Sequence, residues 1–140
     1  MVYVCEFEFW TSPDGNVIAE PLSVDREGTF GDDLPDAVAS AADWLSMFVD
    51  DYLMKGAELP EMSFGNEPRH GGRVIAVAVS RELGDIPAMT AADAARELGV
   101  TRGRITQLCD EGKLESWKDG ARRMVSRASV ESRKCDVSRV

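Results

Sequence analysis

Near the start of the chain, apolar and polar residues alternate as they do in a strand that is buried on one face. Cys5, Phe7 and Phe9 occupy one face of residues 2–10, and this period of two predicts a half-buried strand. Residues 13–16 have the composition of a tight turn. The first element is therefore one arm of a hairpin.

The pattern then changes to the period of a helix. Two short strands are predicted, one beginning at Val17 and one near residues 28–30. From Leu34 to Leu53 the apolar side chains recur at three- and four-residue intervals. This spacing predicts one long amphipathic helix, which Asp32 or Asp33 is suited to cap.

After the helix, residues 60–72 are rich in glycine, proline and polar side chains, which predicts a loop. Residues 74–79 are a compact apolar run, which predicts a strand in the centre of a sheet. The fold class is therefore α+β, a small antiparallel sheet covered by one long helix. We place this domain at residues 1–82.

The last third of the chain has the pattern of two short helices joined by a tight turn. Thr90 is suited to cap a helix that ends at Gly99, and Thr101 to cap a second helix from Arg102 to Glu111. Apolar side chains on the second helix form one buried stripe.

Two short runs separated by Asp119-Gly120 predict a two-stranded hairpin, because both residues favour the positive φ of such a turn. Ser126 is suited to cap a last short helix. Together with the helical pair, these elements predict a winged helix–turn–helix domain at residues 86–140.

Polar side chains off the buried stripe, and basic ones at the hairpin tip, are the candidate contacts with double-stranded DNA. A helix in the major groove reads base edges, while a basic hairpin holds phosphates. The candidate DNA-binding residues are Thr101, Arg102, Arg104, Thr106, Gln107, Lys118, Arg122 and Arg123. The alternative is a helical pair used only for packing or dimer formation.

This segment resembles the small winged helix–turn–helix domains of the excisionase and MerR-like group. The shared pattern is T-x-x-x-A-A-x-x-L-G-V-T-x-x-x-I, from Thr90 to Ile105, followed by Gly112-Lys113-Leu114 and a basic hairpin. The resemblance implies DNA binding, with the helix that starts at Arg102 in the major groove.

Charge is divided unevenly along the chain. Residues 1–85 carry 5 basic and 17 acidic side chains, a formal charge of −12, whereas residues 86–140 carry 11 and 8, a charge of +3. An acidic body is repelled by nucleic acid and attracts a basic partner. The simpler explanation is that most of these carboxylates only keep the domain in solution.

Several classes of protein are disfavoured by the composition. Cys5, Cys109 and Cys135 are too widely spread for a disulfide framework or a zinc site. No apolar run approaches the ~18 residues of a membrane span, and the first residues lack the basic region of a secretory signal. We therefore expect a cytoplasmic protein with reduced thiols, no membrane association, no metal and no cofactor.

Residues 2–81 resemble the N-terminal domain of HicB-type antitoxins. The resemblance rests on Asp14-Gly15 at the hairpin turn, Gly31-Asp32 followed by Ala37 and Ala41 on the helix, and a late strand at residues 73–80. It implies an inhibitor that caps a small basic ribonuclease toxin with its acidic domain and represses its own promoter with the other domain.

The candidate partner-binding residues lie on the first strand and on a second face of the long helix. They are Glu6, Glu8, Trp44, Met47 and Asp51. Trp44 and Met47 are beside the main apolar stripe, so a place at the rim of the core is the simpler role for both.

The same fold also resembles a trimmed ribonuclease-H core, whose chemistry needs carboxylates that converge on two metal ions. Asp32, Asp33 and Asp36 fit the helix start better, as caps and dipole partners. His70 is in a loop with no cysteine near it. We expect no enzyme and no catalytic residue.

Two functions remain open for the chain, and both are those of a regulator. One is the antitoxin-like protein described above. The other is a stand-alone transcriptional regulator whose N-terminal domain dimerises or senses a ligand. In both, a module this small presents few contacts, so we expect a homodimer or higher homo-oligomer on a two-fold operator.

Overall fold

Two separate hydrophobic cores divide the chain into an N-terminal unit, Met1–Glu82, and a C-terminal unit, Leu83–Val140. The structure, a computed structural model, describes residues 1–138. Both units combine helices with antiparallel strands, as the α+β prediction requires. None of the described helices combines the length and the apolar character needed to span a membrane.

The N-terminal unit is a four-stranded antiparallel sheet with one helix packed on one face. Its elements follow the predicted order of three strands, a helix and a strand. They are β1 (Val2–Thr11), β2 (Val17–Pro21), β3 (Thr29–Gly31), α1 (Leu34–Lys55) and β4 (Arg73–Ser80). In the sheet the strands lie in the order β3-β2-β1-β4.

The core of this unit forms between α1 and one face of β1. Cys5 and Phe7 are fully buried there, as the alternation predicts, and they pack in one cluster with Leu45 and Val49 of α1. The Phe7 and Trp44 rings are perpendicular to each other, with 5.5 Å between the centroids. Burial of each large apolar side chain contributes about 1.5–3 kcal/mol.

The start of α1 is fixed by two aspartates. The Asp33 side chain accepts the backbone N–H of Asp36 at 2.9 Å, and the Asp36 carboxylate accepts the N–H of Asp32 at 2.8 Å. Of the two caps that the sequence allows, Asp33 is therefore the N-cap. The first bond satisfies a backbone donor that a helix leaves free in its first turn, and the second holds the residue before the cap against the helix.

The prediction that residues 74–79 form a central strand is wrong. β4 pairs with β1 on one side and lies at the edge of the sheet, so β1 and β2 are the central strands. Val77 is buried under α1, whereas Ala76 and Ala78 are exposed on the opposite face. The run is apolar along its whole length without being covered on both faces.

A buried carboxylate on β1 holds the loop that leads into β4. Glu8 has no exposed surface, and its Oε1 accepts the N–H of Arg69 at 2.7 Å. Its Oε2 accepts the N–H groups of His70 at 2.8 Å and Gly72 at 2.9 Å. Burial alone would raise the pKa of Glu8, but the three donors outweigh it and hold the pKa below its ordinary value.

Glu6 anchors the same loop two residues earlier on the strand. Its Oε1 accepts the backbone N–H of Asn66 at 3.0 Å and the side-chain Nδ2 at 2.7 Å. Both bonds favour the ionised form and lower the pKa of Glu6. The loop of residues 60–72 is thus irregular, as predicted, and tied to the sheet by two carboxylates.

His70 is exposed, and its side chain has two partners on the first hairpin. Its ring stacks on Trp10 with 4.0 Å between centroids, and its Nε2 lies 3.2 Å from Oε2 of Glu20. These contacts place the loop over the first hairpin.

The C-terminal unit packs three helices against a three-stranded sheet. A short 3-10 turn at Leu83–Asp85 comes first, and the strands lie in the order β5-β7-β6. The elements are β5 (Ala88–Thr90), α2 (Ala91–Leu98), α3 (Arg102–Asp110), β6 (Ser116–Asp119), β7 (Arg122–Ser126) and α4 (Arg127–Ser138).

The sheet and the last helix of this unit differ from the sequence prediction. The sheet has a third strand, β5, which is too short to show a pattern and forms because Met89 packs into the core beside β7. The last helix has 12 residues rather than a few. Its predicted cap is confirmed, since Ser126 Oγ accepts the N–H of Ser129 at 3.0 Å.

We expect Glu8→Gln to lower the free energy of unfolding of the N-terminal unit by about 2–4 kcal/mol, because the amide turns an NH2 toward backbone donors. Urea denaturation at neutral pH measures the difference. Glu61→Gln, an exposed change in the neighbouring loop, is the control. Equal stabilities of the two variants would contradict the anchoring role.

The same carboxylate predicts a pH dependence. Because the folded-state pKa of Glu8 is depressed, its contribution is present above the ordinary pKa and is lost as the pH falls through the folded-state value. Acid titration of stability should therefore be steeper for the native chain than for Glu8→Gln over that range.

Candidate nucleic-acid interface

The geometry of the helical pair is set by its turn. Gly99 has a φ of 67°, a left-handed conformation that favours glycine, and this ends α2. The N–H of Val100 then donates to the carbonyl of Ala95 at 3.0 Å. Thr101 begins α3 by accepting the N–H of Arg104 on its hydroxyl at 3.1 Å. The predicted caps at both sides of the turn are confirmed.

The buried stripe of α3 decides which side chains point outward. Ile105 is fully buried and Leu108 is 2% exposed, so the opposite side of the helix faces solvent. Arg102, Thr106 and Gln107 lie on that exposed side. The structure therefore presents the part of α3 that the sequence assigned to base contacts.

Some of the predicted contacts on α3 also have partners within the helix. Arg104 Nη1 donates to Gln107 Oε1 at 3.1 Å and lies 3.9 Å from Oε1 of Glu111. The Thr106 hydroxyl donates to the carbonyl of Arg102 at 3.3 Å. The bond between Arg104 and Gln107 holds their side chains next to each other.

The hairpin of β6 and β7, called the wing below, places its turn one residue later than predicted. Asp119 pairs with Arg122, so the two central residues are Gly120 and Ala121. Gly120 has a φ of 64°, and no described residue other than glycine has a positive φ. A glycine at the first central position is typical of a type II′ turn, so Asp119 ends the strand instead of forming the turn.

The wing carries its cations close to the helical pair. Lys118 and Arg122 are exposed. Arg123 is half-buried, and its Nη1 donates to Ser116 Oγ at 3.2 Å. Lys118 and Arg123 are opposite each other in the ladder.

One groove joins the start of α2, the start of α3 and the wing. Its lining residues are Thr90, Ala91, Ala92, Arg102, Thr106, Ala121, Arg122 and Arg123. Four predicted DNA contacts therefore meet in one place: Arg102, Thr106, Arg122 and Arg123. Thr101, Arg104, Gln107 and Lys118 are outside this lining.

The sequence prediction missed the start of α2 as part of the groove. Its signal is the pair Ala91-Ala92 after the cap Thr90, because small side chains leave the backbone N–H groups of a helix start accessible to an anion.

The arginines of the groove and Lys134 of α4 differ in whether they form a salt bridge. Lys134 Nζ lies 2.7 Å from Oε2 of Glu97, a hydrogen bond that lowers the pKa of Glu97 and raises that of Lys134. Among the described residues no salt bridge involves Arg102, Arg122 or Arg123. Their charge is available to phosphates.

The candidate partner-binding residues are not equally accessible. The Trp44 Nε1 donates to the carbonyl of Glu27 at 3.0 Å, and the ring packs at the rim of the core. Met47 is 73% exposed. Asp51 is half-buried and accepts from Lys55 Nζ at 2.9 Å.

Two of the candidate partner-binding residues, Glu6 and Glu8, form hydrogen bonds with the loop of residues 60–72. The assignment of Glu8 to a partner surface is wrong for this fold, because the side chain is fully buried and bonded to the loop. Glu6 is half-buried and bonded to Asn66. Within residues 1–138 no group of three or more His, Cys, Asp or Glu side chains is arranged to hold a metal ion.

We expect Ile105→Ala to destabilise the C-terminal unit by about 2–5 kcal/mol, because it leaves a cavity under α3. Hydrogen exchange read by mass spectrometry should show faster exchange in residues 88–130 and little change in β1 and α1. Val100→Ala, at a side chain that is 37% exposed, is the control. Uniform acceleration across both units would contradict two separate cores.

The comparison with known proteins bears on this unit. Residues 88–134 match the family model described as a helix-turn-helix domain, a segment that spans β5 to most of α4. No curated protein and no solved structure matches the chain significantly. The match agrees with the caps, the turn and the exposed face of α3, and with the resemblance to excisionase-like domains. The C-terminal unit is therefore a helix-turn-helix domain, the kind of domain that DNA-binding regulators carry.

Proposed function

We propose that the chain is a DNA-binding regulator that reads an operator with α3 and holds the DNA backbone with the wing. The observation that carries this proposal is the groove in which Arg102 and Thr106 of α3 meet Arg122 and Arg123 of the wing. A recognition helix with a basic hairpin beside it matches the spacing of a major groove and its phosphates.

The two parts of the site have different tasks in this proposal. Arg102 and Gln107 are exposed on α3 and have the donors and acceptors that pair with guanine and adenine edges. Arg122 and Arg123 belong to the wing and would neutralise phosphates, which sets affinity and register without reading sequence.

The promoter region of the chain's own gene is the DNA to test. We expect Arg102→Ala or Gln107→Ala to weaken binding to the operator by about 1–3 kcal/mol and to leave binding to unrelated DNA nearly unchanged. Fluorescence anisotropy with labelled duplexes gives both affinities.

Changes in the wing should behave differently. Arg122→Ala or Arg123→Ala should weaken binding to all sequences alike and reduce the slope of log affinity against log salt by about one per residue. Arg96→Ala is the matched control, because this arginine is on α2, is paired with Asp93 and is outside the groove. If all four site variants bound DNA with native affinity, the proposal would be contradicted.

We further propose that the N-terminal unit binds and neutralises a small basic toxin, as the resemblance to HicB-type antitoxins implies. The support is the charge of −12 on residues 1–85 and one line of side chains on α1. Asp43, Met47 and Asp51 are four residues apart, so they lie above one another on the helix. An exposed methionine between carboxylates suits a basic partner with an apolar centre.

The partner should be sought by affinity purification of the tagged chain from its native cell, with identification by mass. With the partner in hand, we expect Met47→Arg to weaken the complex about tenfold or more, because it places a cation against a basic surface. Phe64→Arg, the same change at another exposed apolar residue, is the control. Equal losses in both variants would contradict the α1 site.

The second candidate is a stand-alone regulator whose N-terminal unit dimerises. The observation that favours it is the outer edge of β4, with which no strand of the described residues pairs. In either case we propose a binding role rather than catalysis for this unit, because the β1 carboxylates are engaged in anchoring the loop. A neighbouring reading frame that is toxic alone and harmless with this chain separates the two candidates.

A further inference from the structure

The free edge of β4 has a defined set of hydrogen-bonding groups. Just beyond the strand, Arg81 N donates to the carbonyl of Met1 at 3.0 Å, and Met1 N lies 3.5 Å from the carbonyl of Arg81. This is a hydrogen-bonded pair of an antiparallel ladder, and such pairs alternate along the strands. The odd-numbered residues of β4 therefore bond to β1.

The even-numbered residues direct their N–H and C=O groups away from the sheet. These are Val74, Ala76, Ala78 and Ser80. Within the part of the chain that the structure describes, no strand pairs with this edge.

The edge also lacks the features with which proteins prevent strand pairing. Charged residues make up 29% of the chain, yet residues 74–80 contain none, and they contain no proline. Natural edge strands are usually short, charged or interrupted by proline or a bulge. The seven residues 74–80, which follow Arg73 at the start of β4, have none of these devices and are suited to receive another strand.

We propose that β4 pairs antiparallel with β4 of a second copy, so that the two N-terminal sheets form one continuous sheet around a two-fold axis. A strand can pair with itself in this way because an antiparallel two-fold axis presents the same edge from both sides. The inference specifies how the N-terminal unit dimerises in the second candidate above, and it requires neither DNA binding nor a toxin partner.

The register of this pairing follows from the faces of the sheet. Residues opposite each other must lie on the same face, or α1 of one copy would be on the wrong side. The axis therefore passes through a residue, and Val77 is the central choice. It pairs Val74 with Ser80 of the second copy and Ala76 with Ala78 of the second copy.

An axis at Val77 uses every outward group of the edge. The four outward residues form four pairs with two hydrogen bonds each, whereas an axis at Ala76 or Ala78 leaves one outward residue of each copy without an opposite. On the face under α1 it brings Ile75 against Val79 of the second copy, an apolar cross-strand contact.

The ends of the edge are compatible with this register. Arg73 would face Arg81 of the second copy, but the Arg81 guanidinium already bonds to Asp50, at 2.9 Å from Nε and 2.7 Å from Nη2. The carboxylate offsets the repulsion between the two arginines. No acidic side chain of residues 73–81 adds to the repulsion between two acidic units.

Cysteine cross-linking of the full-length chain tests the register. The background is Cys109→Ser with Cys135→Ser, which removes the two accessible thiols, while Cys5 is kept because it is buried and burial raises its pKa to about 11. Ala76→Cys and Ala78→Cys are made separately in this background. Opposite residues of a hydrogen-bonded pair have Cα atoms about 5.5 Å apart, within reach of a disulfide.

An equimolar mixture of the two variants should give a covalent heterodimer under mild oxidation, and each variant alone should not, because its own cysteines would be about 7–8 Å apart. A homodimer of Ala76→Cys or of Ala78→Cys would place the axis at that residue and overturn the register. No cross-link in any sample would overturn the pairing.

A second pair of variants tests the pairing without cysteines. Ala76→Pro removes an outward N–H and leaves the bonds to β1 in place, whereas Ala76→Ser keeps the donor. Sedimentation velocity should show the dimer constant weakened about tenfold or more in the proline variant only. A dimer that is equally stable in both variants contradicts the use of this edge. Circular dichroism confirms that both fold.

Discussion

The packing of α1 on the odd-numbered side chains of β1 is the contact on which the N-terminal unit depends. It buries Cys5 and Phe7 completely, and it fixes which face of every strand is covered. Once that face is chosen, Glu6 and Glu8 lie on the other side of β1, where the loop of residues 60–72 crosses them. β4 lies at one edge of this sheet, next to β1.

In the C-terminal unit the equivalent role belongs to the stripe of Ile105 and Leu108 under α3. Because that stripe is buried, the polar side of the helix faces outward next to the wing. Arg127 and Lys134 of α4 lie close to the Glu97 carboxylate, whereas no salt bridge among the described residues involves the arginines of the groove. The formal charge thus differs between the two parts of the chain, −12 over residues 1–85 and +3 over residues 86–140.

Local signals in the sequence were sufficient for much of this fold. Asp33, Thr90 and Thr101 cap helices because a short side chain reaches a donor three residues away. Periodicity identified α1, α3 and their buried faces, and the exposed side of α3 followed from it. The family-level assignment of the C-terminal unit was therefore within reach of the sequence.

What the sequence did not reveal depends on distant partners. β5 exists because β7 is beside it, and β4 is an edge strand because, among residues 1–138, no strand lies beyond it. An apolar run has the same sequence pattern in a central strand and in an edge strand. The burial of Glu8 required knowledge of where residues 69–72 cross the sheet, and the turn of the wing shifted by one residue because pairing of Asp119 with Arg122 decides it.

The way in which Glu8 holds its loop has an evolutionary consequence. All three of its donors are main-chain amides, so the attachment is indifferent to which side chains the loop displays. Exposed side chains of the loop such as Glu61 and Glu67 can therefore change while the path of the backbone is preserved, whereas Asn66 holds Glu6 through its own side chain. The exposed surface of this loop can therefore change in sequence while the sheet and helix beneath it keep their fold.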